Sequence, residues 1–350
     1  LGDVYKRQNM SVAMMEDSEA LDEVVLIGYG SKNKKDLTGS VSMIKSETIE
    51  KLKPVDVSQA LQGRATGVSV TTASGSPGSG FRVLIRGVSS NSDNDPLVVV
   101  DGYIASMNSI NPDDIESLTV LKDAQAAIYG IEGANGVILV TTKKGSKNTA
   151  PKVSYNVYTG IQETTKKLSL LNNVEYAGLL NESYAANGVS LPYPNLSALE
   201  TNTDWQDNLF DTVNISNHNI SLSGGTETLT YYLGASHLDQ EGIIAKDKSN
   251  FVRDNVKLSL GVDINDKLTT KLNLNYFANS RKTFNESGLG GVLFNAISYS
   301  PLFTLEQEDT NGLFGNEIIN PLSQIRDLSL IHISEPTRRR GISYAVFCLK

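Results

Sequence analysis

Asp113 and Asp114 are adjacent carboxylates, the residue type that general acid–base chemistry uses in pairs. They follow Asn111-Pro112, and the four residues read as a helix start: a capping side chain, proline at the first position and acids in the first turn. Adjacent helical residues do not face one another, so these two cannot share a reacting atom. Asn91, Asp93 and Asp95 reproduce the first three spacings of a calcium loop, but the sixth position is Pro96 instead of glycine and the twelfth Gly102 instead of glutamate. They read as a turn with solvated carboxylates. SGSPGSG (residues 74–80) has the glycines of a phosphate cradle, lacks the Lys-Ser/Thr that follows them, and leads into a strand pattern, so it reads as a turn. Histidines stand only at 218, 237 and 332, none at ligand spacing from another, and the single Cys348 excludes a disulfide framework and a cysteine metal site. No G-x-S-x-G occurs. The expectation is no catalytic residue, no metal site and no cofactor. Trp205 and Tyr193 have the side chains that stack on sugars, with structural packing as the preferred reading.

The elements that would position any site fall into two unlike halves. Residues 120–145 (VLKDAQAAIYGIEGANGVILVTTKKG), fed by DPLVVVD (95–101), predict two apolar strands around a short helix. Asp123 is its expected N-cap, 124–129 its body and Gly130 its stop. Residues 137–140 show no polar alternation, so that strand should be covered on both faces. Upstream, 39–44 reads as a strand followed by a short helix, 56–61 as a second helix after Pro54 and before Gly63, and 67–72 and 82–86 as strands. LDEVVLIGYG (21–30) is either an edge strand of this α/β unit or an extended peptide that adds to a partner's sheet edge.

From about Lys152 the period changes to two. Val252, Val256, Leu258, Leu260, Val262 and Ile264 share one face, broken by Asp254; Arg253, Asn255, Lys257, Ser259, Gly261 and Asp263 share the other. Leu268 to Ala278 repeats the pattern, with Phe277 the exception, and weaker versions run over 153–161, 218–223 and 229–238. The two clear runs are about a dozen residues long, against five or six in soluble domains and roughly nine to eleven for a tilted strand crossing a bilayer. Short links (224–227, 265–266) alternate with long ones (239–250 and the stretch before 216), the pattern of an outer-membrane barrel. The fold class expected from the pattern is a small α/β domain followed by antiparallel transmembrane β-barrel strands, an incomplete barrel, because five strands leave two open edges.

The net charge of −8, with 20% charged residues, argues against nucleic acid as a partner, and no apolar run approaches the ~20 residues of a transmembrane helix. Residues 1–20 read as a non-native-looking start and an acidic linker, and 328–350 as a non-native tail; 1–8 and 328–350 resemble translated sequencing adapter. The remainder reads as an internal piece of a longer protein.

Several blocks in order resemble the SusC/RagA-type TonB-linked outer-membrane proteins of the Bacteroidetes: LDEVVLIGYG (21–30), ALQGRATGVSVTTASGSPGSG (60–80), VLIRGVSS (83–90), NDPLVVVDG (94–102), NPDDIESLTVLKDAQAAIYG (111–130) and GANGVILVTTKKG (133–145). TDWQD (203–207), ISLSGGTETLTYYLGASHLDQEGII (220–244) and NPLSQI (320–325) are similar to the family's opening barrel repeats. The resemblance implies a plug over 37–147 and the first barrel strands over 152–327. It implies a TonB-contacting segment at Asp22, Glu23, Val24, Val25, Leu26 and Ile27. The plug motif falls on Arg86, Gly87, Asp101, Gly102, Lys122, Asp123, Tyr129, Gly130, Gly133, Asn135 and Gly136. Further implications are the outer membrane and its lipid, TonB, a SusD-like surface lipoprotein, and an oligosaccharide or peptide ligand. A TonB-dependent siderophore or vitamin receptor and a secreted β-rich carbohydrate-binding protein are the alternatives.

Overall fold

The computed structural model describes residues 24–27, 30–33, 41–72, 74–91, 93–284, 288, 290–308, 318–331 and 339–343. Strands β1 (Val24–Ile27) and β2 (Gly30–Asn33) pair antiparallel as a two-stranded sheet of their own. Then follow β3 (Ser42–Lys45), helix α1 (Ser46–Leu52), a 3-10 turn (Val57–Leu61), β4 (Val68–Thr72), β5 (Phe81–Ile85), β6 (Leu97–Val100), β7 (Tyr103–Ile104), β8 (Ile115–Leu121) and β9 (Val137–Thr142). Five of these form a mixed sheet in the order β3-β8-β9-β6-β7, with β9 antiparallel to β8 and parallel to β6; β4 and β5 make a separate hairpin. Residues 137–140 are all buried, as their unbroken apolar run requires. Ile138 and Val140 join Ile49, Val57, Leu61 and Leu118 on one face. Val137 and Leu139 join Val99, Leu121 and Ala126 on the other.

Three local expectations change. The segment after β8 is a 3-10 helix over Asp123–Gly133, kinked at Gly130 (φ 64°, ψ −144°). Asp123 does not cap it: its own φ is +54° and its carboxylate pairs with Arg86, so it is engaged away from the helix N–H groups. Asn111 does cap, accepting from the Asp113 N–H at 3.3 Å, but Pro112–Asp114 is a single 3-10 turn. The apolar run that follows is taken by the sheet, between β3 and β9. The helix expected over 56–61 is likewise a 3-10 turn, entered through a capping box of Asp56 and Gln59.

The second half is one antiparallel sheet of long strands: β10 (Thr149–Gln162), β11 (Val213–Gly225), β12 (Leu229–Glu241), β13 (Asn250–Asn265) and β14 (Leu268–Lys282), in sequence order. A further strand, β15 (Arg339–Ser343), lies on β14, within the stretch set aside from the sequence. Two-residue and three-residue links (266–267, 226–228) sit at one end of the sheet. The links 163–212 and 242–249 sit at the other, with the chain beyond β14, and carry helices α2 (Asn173–Ala186), α3 (Trp205–Leu209), α4 (Val292–Ser298) and α5 (Pro321–Ile331). Trp205 is buried among these helices, edge-on to Tyr299 at 5.0 Å, with Nε1 donating to the Ser300 carbonyl at 3.0 Å. It is a packing residue, and the sugar-stacking alternative does not hold for it.

Burial on this sheet is inverted relative to a water-soluble sandwich. The apolar face of β13 is the more open one, with Val256 and Ile264 exposed, while Arg253, Asn255, Lys257 and Ser259 are buried. Val153, Tyr155, Val157 and Ile161 of β10, Ile220 of β11, Leu233 of β12 and Leu274 and Tyr276 of β14 extend the same exposed band. Such a contiguous apolar surface is stable against hydrocarbon and costly in water. From Val256 to Ile264 it rises roughly 27 Å along the strand, or about 20 Å along the membrane normal at the usual tilt. At the end nearer the long links the band gives way to a polar row, where His218 pairs with Tyr155 at 2.8 Å and His237 with Asp254 at 2.6 Å.

Candidate functional site: the plug seated on the barrel wall

The α/β unit lies against the polar face of the long sheet. Its motif residues mostly serve turns. Asp101 (φ +49°) and Gly102 (φ +97°) form the two-residue link between β6 and β7, a geometry both positions of a type I′ turn require. The Asp101 carboxylate also accepts from the Thr142 N–H at 3.1 Å and from the Thr142 hydroxyl. Arg86 and Gly87 both have positive φ after β5, and Arg86 reaches Asp123. Lys122 is buried, and its ammonium donates to the Thr66 carbonyl and, at 3.3 Å, to Ser42 Oγ; burial lowers its pKa. Tyr129 packs on the cluster around Val137, and Asn135 bridges Ser89 and the Asp93 carbonyl. Gly133 is buried against the Ala126 carbonyl, and at Gly136 (φ +89°) a Cβ would lie 2.7 Å from Ile85 Cδ1. These eleven residues shape the plug without converging on one point.

Val24, Val25, Leu26 and Ile27 lie in β1, whose only strand pairing among the described residues is with β2, so β1 is not a hydrogen-bonded edge of the plug's sheet. Asp22 and Glu23 lie outside the described residues.

The contacts that join the two halves were missed from the sequence. Tyr232 on β12 donates to Asp114 Oδ1 at 2.7 Å, and Asn217 on β11 reaches Asp113 at 3.4 Å. Burial raises the pKa of the Asp113 carboxyl, outweighing the pull of Lys53 and Lys143. The two acids therefore anchor different strands and do not act as a pair. Lys257 on β13, 4% exposed, has its ammonium 3.9 Å from Asp101, itself 5% exposed. Three more barrel side chains donate to plug main-chain carbonyls: Arg253 to Val55 at 3.1 Å, Asn255 to Ser109 at 3.0 Å and Arg281 to Pro77 at 2.9 Å. The apolar share of the seam is small, with Ile215, Leu238 and Phe251 against Val55. A seam made chiefly of hydrogen bonds is one that water can re-satisfy when the plug moves. The sequence signal was present: Arg253, Asn255 and Lys257 alternate against the apolar face. Among the described residues no cluster of three His, Cys, Asp or Glu could hold a metal.

Gly78 is the closest approach. Its φ is +63°, and a Cβ there would lie 2.3 Å from Phe251 Cδ2, far inside van der Waals contact. Gly78→Ala is expected to lower the unfolding free energy of the full-length protein in detergent by about 1–3 kcal/mol, through overpacking and a strained φ. Thermal unfolding measures it, and part of the loss should return in the Gly78→Ala/Phe251→Leu double variant.

Residues 33–137 match the TonB-dependent receptor plug domain family. The chain is 39% identical over 325 residues to TonB-dependent receptor P26 of Formosa agariphila, covering 89% of this chain and 32% of that protein. It is 40% identical over 299 residues to TonB-dependent receptor SusC of Bacteroides thetaiotaomicron, covering 81% of this chain and 29% of SusC. Among solved structures it is similar to the RagAB peptide importer in its open-open state, with a TM-score of 0.69 and 28% identity over 80% of this chain and 35% of that one. The chain thus spans about a third of the length of the relatives it matches. A plug-family match, an open sheet with its apolar face outward, and likeness across both to SusC and RagAB place the chain among the SusC/RagA-type TonB-dependent receptors, as the plug and the strands that follow it.

Proposed function

We propose that this chain is the plug and opening barrel wall of an energised outer-membrane importer. The observation that carries the reading is the inverted sheet: an apolar band faces outward while Arg253, Asn255 and Lys257 are buried against a plug. Residues 21–30 offer their main chain to TonB by strand addition, a mode in which backbone hydrogen bonds supply affinity and side chains matter little. A pull on that segment breaks the polar seam and opens a path through the lumen. A SusD-like surface lipoprotein covers the long-link end and delivers an oligosaccharide or peptide. The chain's part is binding and gating, with no chemical step.

The test is uptake of labelled ligand by cells carrying the full-length protein. The protein is expected in the outer-membrane fraction. Uptake is expected to stop when the proton gradient is dissipated, while ligand stays bound at the surface. Uptake indifferent to the gradient would refute energised import.

A further inference from the structure

Two cavities lie in succession between the plug and the inner face of β13 and β14. The outer one, about 240 Å³, is lined by Asn108 of the plug and by Arg253 and Asn279 of the wall. The inner one, about 440 Å³, is lined by Ser106 and Ser109 of the plug and by Asn255, Lys257 and Asn275 of the wall. The wall residues follow the strand register: Arg253 lies opposite Asn279, Asn255 opposite Phe277 and Lys257 opposite Asn275. That order runs inward from the long-link end, which in outer-membrane barrels faces the cell exterior.

The partition between the cavities is the 3-10 turn Met107–Ser109, since Asn108 lines one and Ser109 the other. Among the described residues one hydrogen bond ties this turn to the wall, from Asn255 Nδ2 to the Ser109 carbonyl at 3.0 Å. The closed arrangement has a cost. Asn255 Oδ1 and Lys257 Nζ are buried without a hydrogen-bond partner among the described residues. Water admitted by a swing of the turn would satisfy both and offset the bond lost at Ser109.

The turn's other support comes from the N-terminal part of the plug. Ala105 and Met107 pack on the cluster that holds Ile49 of α1 and Val57 and Leu61 of the 3-10 turn after it. These elements follow β3, an edge strand paired with β8 alone among the described residues. A pull on the chain ahead of β3 therefore loads the seat of Met107 before it loads β8, β9 and β6.

We infer that the turn Met107–Ser109 is the gate of the import path, with Asn255 as the residue that latches it shut. The inference rests on the import reading above and adds which segment moves. Withdrawing the seat under Met107 frees the turn, the Asn255 bond parts, and the two cavities join along β13 and β14. Strands β8 and β9 stay in place, so the plug opens without leaving the barrel.

The test is labelling of Ser106→Cys by a bulky, charged maleimide added to whole cells. The cells carry the full-length protein in a background without other reactive cysteines. With the proton gradient dissipated, labelling is expected to be slow. Asn255→Ala or Asn255→Leu should speed it about fivefold, what the loss of one ordinary hydrogen bond confers. Asn255→Gln, which keeps the donor, should bring the rate back toward the parent. Thermal unfolding in detergent checks the fold, and either apolar variant alone suffices. In energised cells fed starch and casein peptides, the fast rate is expected with Asn255 intact. Val140→Cys, in the core of β9, should stay unlabelled throughout. Asn255 variants that label like the parent overturn the gate. So does Val140→Cys labelling as fast as Ser106→Cys, because the whole plug would then have given way. If uptake ignores the gradient, the importer reading falls, while the comparison at Asn255, made without a gradient, still decides whether the turn is latched.

Discussion

Asp101→Asn is expected to weaken plug docking by about 3 kcal/mol, the usual cost of stripping one partner from a buried ion pair. Asparagine tolerates the left-handed backbone that Asp101 occupies at φ +49°, its Oδ1 can keep the Thr142 N–H bond and its Nδ2 can donate to the Thr142 hydroxyl turned to accept, so the β6–β7 turn survives and the charge is the main loss. What remains is the Lys257 ammonium, 4% exposed, above the Tyr232 ring at 5.6 Å and with no hydrogen bond among the described residues. Lys144 cannot compensate, since it reaches the same Asp101 carboxylate and carries the same sign. Adding Lys257→Met should return most of the lost stability, because an apolar side chain of similar length removes the stranded charge. Denaturant unfolding of the full-length protein in detergent reads all three variants. A single variant that loses less than about 1 kcal/mol would show the pair to be screened, and the seam to rest on its other hydrogen bonds and its small apolar contact.

The outline of the fold could be read from the sequence because both halves obey simple periods. Residues 137–140, without alternation, became an inner strand, and Val252 to Ile264 became a two-faced one. The barrel-side donors of the seam, Arg253, Asn255 and Lys257, could be seen as a polar face, but the partners they meet could not, for two physical reasons. The seam's acceptors are often main-chain carbonyls, at Val55, Pro77 and Ser109, which no side-chain pattern marks. Its ion pair joins Asp101 to Lys257, and only the docking of two separately folded sheets sets that meeting. Asp123 was misread for a related reason: a capping residue type was recognised locally, but Arg86, far away in sequence, holds its carboxylate. Trp205 shows the converse, an aromatic whose indole N–H is satisfied by a carbonyl inside a helical cluster. Its neighbours in that cluster, Tyr299 and Val292, lie far along the chain and give no local sign of the contact.

Deletion of residues 21–30 from the full-length protein is expected to abolish uptake while leaving barrel assembly and surface ligand binding within about twofold of the parent. Among the described residues β1 forms strand hydrogen bonds with β2 alone, and the five-stranded sheet is complete without it. Loss of uptake with assembly and binding intact would therefore report coupling and not stability. A finer version separates main-chain pairing from side-chain recognition. Along a strand, successive N–H groups point to opposite edges, so within Val24, Val25, Leu26 and Ile27 one alternate pair faces β2 and the other faces the open edge. Proline removes the N–H at one position. At an open-edge position it should stop uptake almost completely, whereas threonine at the same position, which keeps the N–H and the extended backbone, should leave uptake near the parent level. If threonine proved as damaging as proline, the partner would be reading side chains. If the whole segment could be removed with uptake intact, force would have to reach the plug elsewhere, and the polar seam would lose its role as the joint that opens.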